Sequence, residues 1–211
     1  MTWLVLLVLL ATASGASQES AAARAYQAKE ARQLERAVAL FEEALAADPG
    51  NLALRKDLAY TLLAIGQTKE ARDVFGAVLQ RDAKDTYTAL EYAFLCHETG
   101  RQEEAWMLFR TLRNAANAEH RATATRTFEA MDAELNARIA RLQSAIAQDP
   151  GNYSSHLELA RAQRIRNEYA RAAEEFDKAY RLKPQYPEVL LDLADALRRS
   201  GNAERALAAV L

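Results

Sequence analysis

The sequence predicts an all-α fold built from serial helix–turn–helix units of about 34 residues. Three observations predict it: an Ala-rich composition, two kinds of turn signal that alternate in phase, and apolar positions that recur at helical spacing between them. Half of the 211 residues are apolar and 27% are charged, an ordinary balance for a folded chain. Gly (7) and Pro (4) are scarce, which leaves little room for tight turns. Roughly a fifth of the residues are Ala, which loses no side-chain entropy in a helix. Alternating Val-, Ile- or Thr-rich stretches, the mark of strands, are missing.

The turn signals come first. Asp48-Pro49-Gly50-Asn51 returns as Asp149-Pro150-Gly151-Asn152, and Pro150 to Pro184 is a step of 34 residues. A step of 34 from Pro49 reaches Ala83, inside Arg81-Asp82-Ala83-Lys84-Asp85, a degenerate copy of the same turn. A second set interleaves with it: Gly66 to Gly100 is 34, and Asn167 to Gly201 is 34. Gly, or sometimes Asn, suits the left-handed residue that follows a helix end. Pro suits the other turn because it cannot continue a helix.

The apolar slots agree. In each second helix an Ala stands four residues before a large apolar residue: Ala37 and Phe41, Ala71 and Phe75, Ala105 and Phe109, Ala172 and Phe176, Ala206 and Val210. That spacing puts both on one helix face. In each first helix a large residue precedes a small one, as in Leu58-Ala59, Tyr92-Ala93, Leu159-Ala160 and Leu193-Ala194. The small residue lets paired helices approach and the large one fills the space between them. Gly66, Gly100, Pro150 and Pro184 argue against one long Ala-rich coiled coil.

These slots resemble the tetratricopeptide repeat family. The resemblance implies a right-handed superhelical solenoid of antiparallel helix pairs, about six units long. The units are 18–51, 52–85, 86–118, 119–152, 153–186 and 187–211, the last incomplete. Unit 18–51 lacks the Gly between its helices. The fourth unit is degenerate: it keeps Asp149-Pro150-Gly151-Asn152 and an amphipathic second half (Ile139, Leu142, Ile146), but no Gly or Pro divides it. A bent or continuous helix is expected there.

The N-terminus reads differently. Trp3 to Leu10 is an uninterrupted apolar run followed by small residues, the pattern of a cleaved export signal over residues 1–16. Cleavage after Ala16 is the first choice and after Ala13 the second. The run is about half of what a membrane span needs, so membrane contact is expected only through this signal. The mature chain is therefore expected in the periplasm or secreted. At the other end, Leu207, Val210 and Leu211 lie near the end of the last unit, where a polar closing helix is usual. A longer protein, or a covering module or homo-oligomer contact, is expected there.

Chemistry finds little support. His97, His120 and His156 are far apart, without the close spacing of a metal pair. Gly-rich phosphate loops and nucleophile motifs are missing from the sequence. Cys96, the one cysteine, is expected in the core. A net charge of −2 gives no pull toward nucleic acid. The paired acids Glu42-Glu43, Glu103-Glu104 and Glu174-Glu175 are expected on solvated faces. The expected role is a non-catalytic scaffold without cofactor or metal that binds proteins or peptides. Alternatives are a repeat domain of a larger exported enzyme or outer-membrane exporter, or a self-assembling array.

In this family the first helices line a concave groove, and the resemblance implies that partners bind there. First-helix periodicity puts Lys56, Asp57, Tyr60 and Leu63 on that face, then Tyr87, Leu90, Glu91, Phe94, His97 and Glu98. Later units add Leu157, Glu158, Arg161 and Arg164, then Leu191, Asp192, Asp195 and Arg198. The favoured contact residues are Lys56, Tyr60, Tyr87, Glu91, Phe94, His97, Arg161 and Arg164. Tyr87 and Phe94 either anchor a partner or pack on a neighbouring unit. Some family members clamp a peptide carboxylate with Lys, Asn and Arg. Lys56 matches that Lys, but Asp57 and Tyr60 hold the Asn slots, and an acid there repels a carboxylate.

The register has a direct test. Ala93→Trp or Ala160→Trp is expected to overpack a helix crossing and cost roughly 1–3 kcal/mol or more. Thermal unfolding unchanged from the parent would refute the alignment of the units.

Overall fold

A computed structural model describes residues 19–209. The expected export signal at 1–16, and Val210 and Leu211 at the other end, lie outside the described residues. Eleven α-helices are found among the described residues and no strand. The chain divides between Ile65 and Gly66 into two compact units.

The first unit holds α1 (Ala21–Glu30), α2 (Leu34–Ala47) and α3 (Leu52–Ala64). α2 packs against both α1 and α3. Its Ala37 and Phe41 are fully buried, as the spacing of four requires. Tyr26 meets the Phe41 ring edge-on at 5.2 Å, and its hydroxyl donates to Asp57 Oδ2 at 2.6 Å.

The second unit holds α4 (Thr68–Leu79), α5 (Thr86–Glu98), α6 (Gln102–Leu112), α7 (Ala118–Gln148), α8 (Tyr153–Ile165), α9 (Tyr169–Leu182), α10 (Glu188–Arg199) and α11 (Ala203–Ala208). Each helix packs on the next in series, and two longer contacts join α5 to α7 and α6 to α8. Phe75, Phe109 and Phe176 are fully buried, each with its Ala four residues earlier. Ala93 and Ala160 are fully buried at the helix crossings. Burying one such Phe side chain contributes roughly 1.5–3 kcal/mol.

The two turn types have different physical bases. Three first helices begin with an Asn or Asp cap: Asn51 Oδ1 accepts from Leu54 N at 3.1 Å, Asp85 Oδ1 from Thr88 N at 3.0 Å, and Asn152 Oδ1 from Ser155 N at 3.0 Å; α10, entered through Pro187, has no side-chain cap. These bonds satisfy N–H groups that a helix start leaves free. First helices end on a left-handed residue: Arg32, Gly66, Gly100, Asn167 and Gly201 all have φ between 60° and 87°. The residue after it donates back five positions, as in Arg101 N to Cys96 O at 2.7 Å and Asn202 N to Leu197 O at 2.8 Å. That is the closure of a Schellman turn. The first unit, which lacks the Gly, makes the same turn with Arg32, whose neighbour Gln33 donates to Ala28 O at 2.8 Å.

The fourth sequence unit departs as its composition foretold. Glu134 stands 34 residues after Gly100, and no left-handed residue interrupts the chain there. α7 therefore runs through as one helix of 31 residues, about 46 Å long. It buries Ala124, Phe128, Leu135 and Ile139 along a narrow stripe.

Arg32 is the strained copy of the turn. A left-handed L-residue costs roughly 1–2 kcal/mol, and Gly loses part of that gain through its freer unfolded chain. Arg32→Gly is expected to stabilise the protein by about 0.5–1 kcal/mol. A denaturation midpoint equal to or below the parent would contradict strain at this position.

Candidate functional site

The favoured contact residues fall on three first helices. Lys56 and Tyr60 lie half-buried on α3 of the first unit. Their neighbour Asp57 is occupied by Tyr26 and by Lys29 at 3.4 Å. The Asp57 bond and burial push the Tyr26 hydroxyl up to about 12.

In the second unit, Tyr87, Glu91, Phe94 and His97 form one stripe on α5. Tyr87 is 50% exposed and Phe94 39% exposed. Each also has a packed side: Tyr87 lies 5.8 Å from the His120 ring, and Phe94 meets buried Phe109 edge-on at 5.0 Å. Tyr87 thus packs in part on α7 of the next repeat and Phe94 on α6 of its own, and each keeps an exposed face. Burial raises the Glu91 carboxyl above its ordinary range. His97 is exposed and clasped by Gln102, its Nδ1 donating to Oε1 at 3.0 Å while Gln102 Nε2 donates to the His97 carbonyl at 3.0 Å.

Arg161 and Arg164 on α8 border a cavity of about 700 Å³ lined also by Glu103, Met107, Arg138 and Arg199. A second cavity of about 330 Å³ is lined by His97, Trp106 and Met131. Gln102, Arg138 and Ile165 line both, so the structure brings His97, Arg161 and Arg164 to one continuous concavity. Arg164 is not free there: it donates to Asp192 Oδ1 at 2.7 Å and lies 3.8 Å from Glu103.

Glu103 is the residue that the sequence reading missed. The pair Glu103-Glu104 was expected in solvent, but its carboxylates are structural. Glu103 accepts from the Tyr169 hydroxyl at 2.7 Å and pairs with Arg199 and Arg164, so one α6 side chain ties to α8, α9 and α10. Burial and this bond raise the Tyr169 hydroxyl well above its ordinary range. Glu104 accepts from the Tyr92 hydroxyl at 2.7 Å. Glu175 is buried and lies 2.5 Å from His156 Nδ1, whose Nε2 faces Pro150 O at 3.1 Å. Glu42, Glu43 and Glu174 are exposed as expected; the expectation of solvated acids fails for Glu103, Glu104 and Glu175 because each meets a Tyr, Arg or His from another helix. The only local signal is i,i+3 or i,i+4 charge spacing, and that cannot see across helices.

Cys96 is fully buried on α5, as expected of a core residue. Burial pushes its thiol up to about 12, far from the thiolate that reacts. Among the described residues, no group of three or more His, Cys, Asp or Glu side chains is placed to hold a metal ion. None of their helices is long and apolar enough to cross a membrane.

A family model described as tetratricopeptide repeat matches residues 28–91 and 163–211, more than half of the chain. The chain belongs to the tetratricopeptide repeat family. The unmatched stretch, 92–162, contains α7. This repeat is typically a non-catalytic scaffold fold, and membership of the family supports a protein-interaction scaffold in general terms. No curated protein matches the sequence. Among solved structures, a tetratricopeptide repeat protein from Parabacteroides merdae is similar at 20% identity, covering 90% of this chain and 75% of that one, with a TM-score of 0.49. The P58(IPK) TPR domain is similar at 19% identity over 88% of this chain and 56% of that one, TM-score 0.48. MamA is similar at 15% identity over 88% and 83%, TM-score 0.38.

The Glu103 hub predicts a local energy. Glu103→Gln is expected to destabilise the protein by about 1–3 kcal/mol, the range for a charged hydrogen bond lost with its partners left behind. A urea midpoint indistinguishable from the parent would mean that the hub carries no net energy.

Proposed function

We propose that the protein is an exported adaptor that holds a protein partner, or an extended peptide of one, against the first-helix face of its repeats. The observation that carries this reading is the pair of exposed aromatics on α5, Tyr87 and Phe94, which stand out from a set of fully buried phenylalanines. Aromatics half in solvent and held by packing on one side lose little side-chain freedom when a partner covers them. Glu91 and His97 on the same stripe, with Arg161 and Arg164 at the neighbouring concavity, supply polar contacts of both signs. Tyr60 on α3 of the first unit holds the register that Phe94 holds on α5, and Lys56 lies one turn before it. The proposed place of action is outside the cytoplasm, from the apolar run Trp3–Leu10 and the small residues after it.

The partner test uses the mature chain beginning at Ser17 as bait in a cell-envelope extract. Tyr87→Ala with Phe94→Ala is expected to lose the partner that the parent retains, at about 1–2 kcal/mol of binding per anchor, with thermal unfolding little changed. Equal recovery by parent and double variant would remove these residues from the binding face.

A further inference from the structure

A second surface of the second unit, sharing no residue with the face proposed above, carries a different chemistry. The end of α6, the turn 113–117 and the first turns of α7 enclose a concavity of about 810 Å³. Arg110, Arg113, Arg121 and Arg126 line it together with Asn114 and Thr125, and no carboxylate does. None of these four guanidinium groups forms an ion pair within 4.0 Å among the described residues. This sets them apart from Arg101, Arg138, Arg161, Arg164 and Arg199 around the other cavity, each of which is matched by an acid.

Three of the four are held in place without being neutralised. Arg110 lies over the Trp106 ring at 5.3 Å and Arg113 over the Phe128 ring at 4.7 Å. Those two rings pack on each other at 5.2 Å across the α6–α7 contact. Arg121 donates to the carbonyls of Ala115 at 2.8 Å and Ala116 at 3.3 Å. A guanidinium stacked on a ring keeps its N–H fork free for a carboxylate and loses little entropy on binding. Four like charges grouped with no carboxylate among them leave a local excess of positive charge that an anion would offset.

We propose that this arginine-lined corner binds a short acidic segment of a partner protein, with two or more carboxylates within a few residues. The size and charge of the corner favour that occupant. Exposed Glu119 and Glu129 lie outside the corner on α7, two residues before Arg121 and three after Arg126, and the whole chain is acidic by two charges. A nucleic acid or anionic bilayer extends over many phosphates and meets those acids. A few carboxylates fit within the corner and avoid them.

The test is fluorescence anisotropy of labelled hexaglutamate on the mature chain at neutral pH, with hexaglutamine as the uncharged probe. Hexaglutamate is expected to bind and hexaglutamine not. Arg110→Glu with Arg126→Glu is expected to weaken binding at least about tenfold without changing the melting temperature. Arg141→Glu with Arg205→Glu makes the same change in net charge elsewhere and is expected to leave affinity within about twofold. Should the charge reversal unfold the chain, Arg110→Gln with Arg126→Gln carries the same expectation. Three results would overturn the proposal: no binding of hexaglutamate, equal loss in both pairs of variants, or tighter arginine-dependent binding of a thymidine oligonucleotide or of equimolar phosphatidylcholine–phosphatidylserine vesicles. Because Tyr87 and Phe94 are untouched, failure here leaves the first-helix face standing, and the reverse holds.

Discussion

Two short helices bury too little apolar surface to offset the entropy of ordering them, so each pair here depends on the next for its interior. The chain meets that constraint with one repeated contact. An Ala brings two helix backbones close, and a Phe one turn further along fills the space beneath them. Phe75, Phe109 and Phe176 all end fully buried although they belong to different pairs. A core assembled this way has no centre. Its stability is shared along the series, and an interruption changes the structure only nearby.

The interruption is α7. Every other junction in phase has a residue that adopts a left-handed conformation, and even Arg32 accepts it where Gly is missing. Around Glu134 nothing ends the helix, so its hydrogen bonds propagate through the expected turn. A single long helix cannot fold back to cover its neighbours as a pair would. α5 then reaches α7, and α6 reaches α8. Both cavities that hold His97, Arg161 and Arg164 lie against this region. The departure from the repeat and these two concavities thus lie side by side.

Electrostatics divide the same region in two. Around Glu103 the arginines are spent on structure, each matched by a carboxylate from a different helix. At the α6–α7 corner the arginines rest on aromatic rings and backbone carbonyls instead. The near-neutral total charge hides this difference, because it averages a compensated cluster with an uncompensated one.

The sequence by itself determined the helices, their turns and the buried slots. These depend on short-range rules: a cap within three residues, a left-handed residue after a helix end, and apolar spacing of four. Asn51 as part of a turn, Gly100 as a helix end, and Ala93 and Phe109 as buried slots could therefore be assigned without coordinates, as could the missing turn in the fourth unit. Only the tertiary structure decided which charges are structural. Glu103, Tyr169 and Arg199 meet although they lie 66 residues apart or in different helices, and a solvated glutamate has the same local sequence as a buried one. The exposure of Tyr87 and Phe94 was decided at that level too. Helical spacing gives a direction on α5, but what fills the space beside it is set by other helices. The unpaired state of the four corner arginines is likewise a statement about distances between elements, which no count of charges contains.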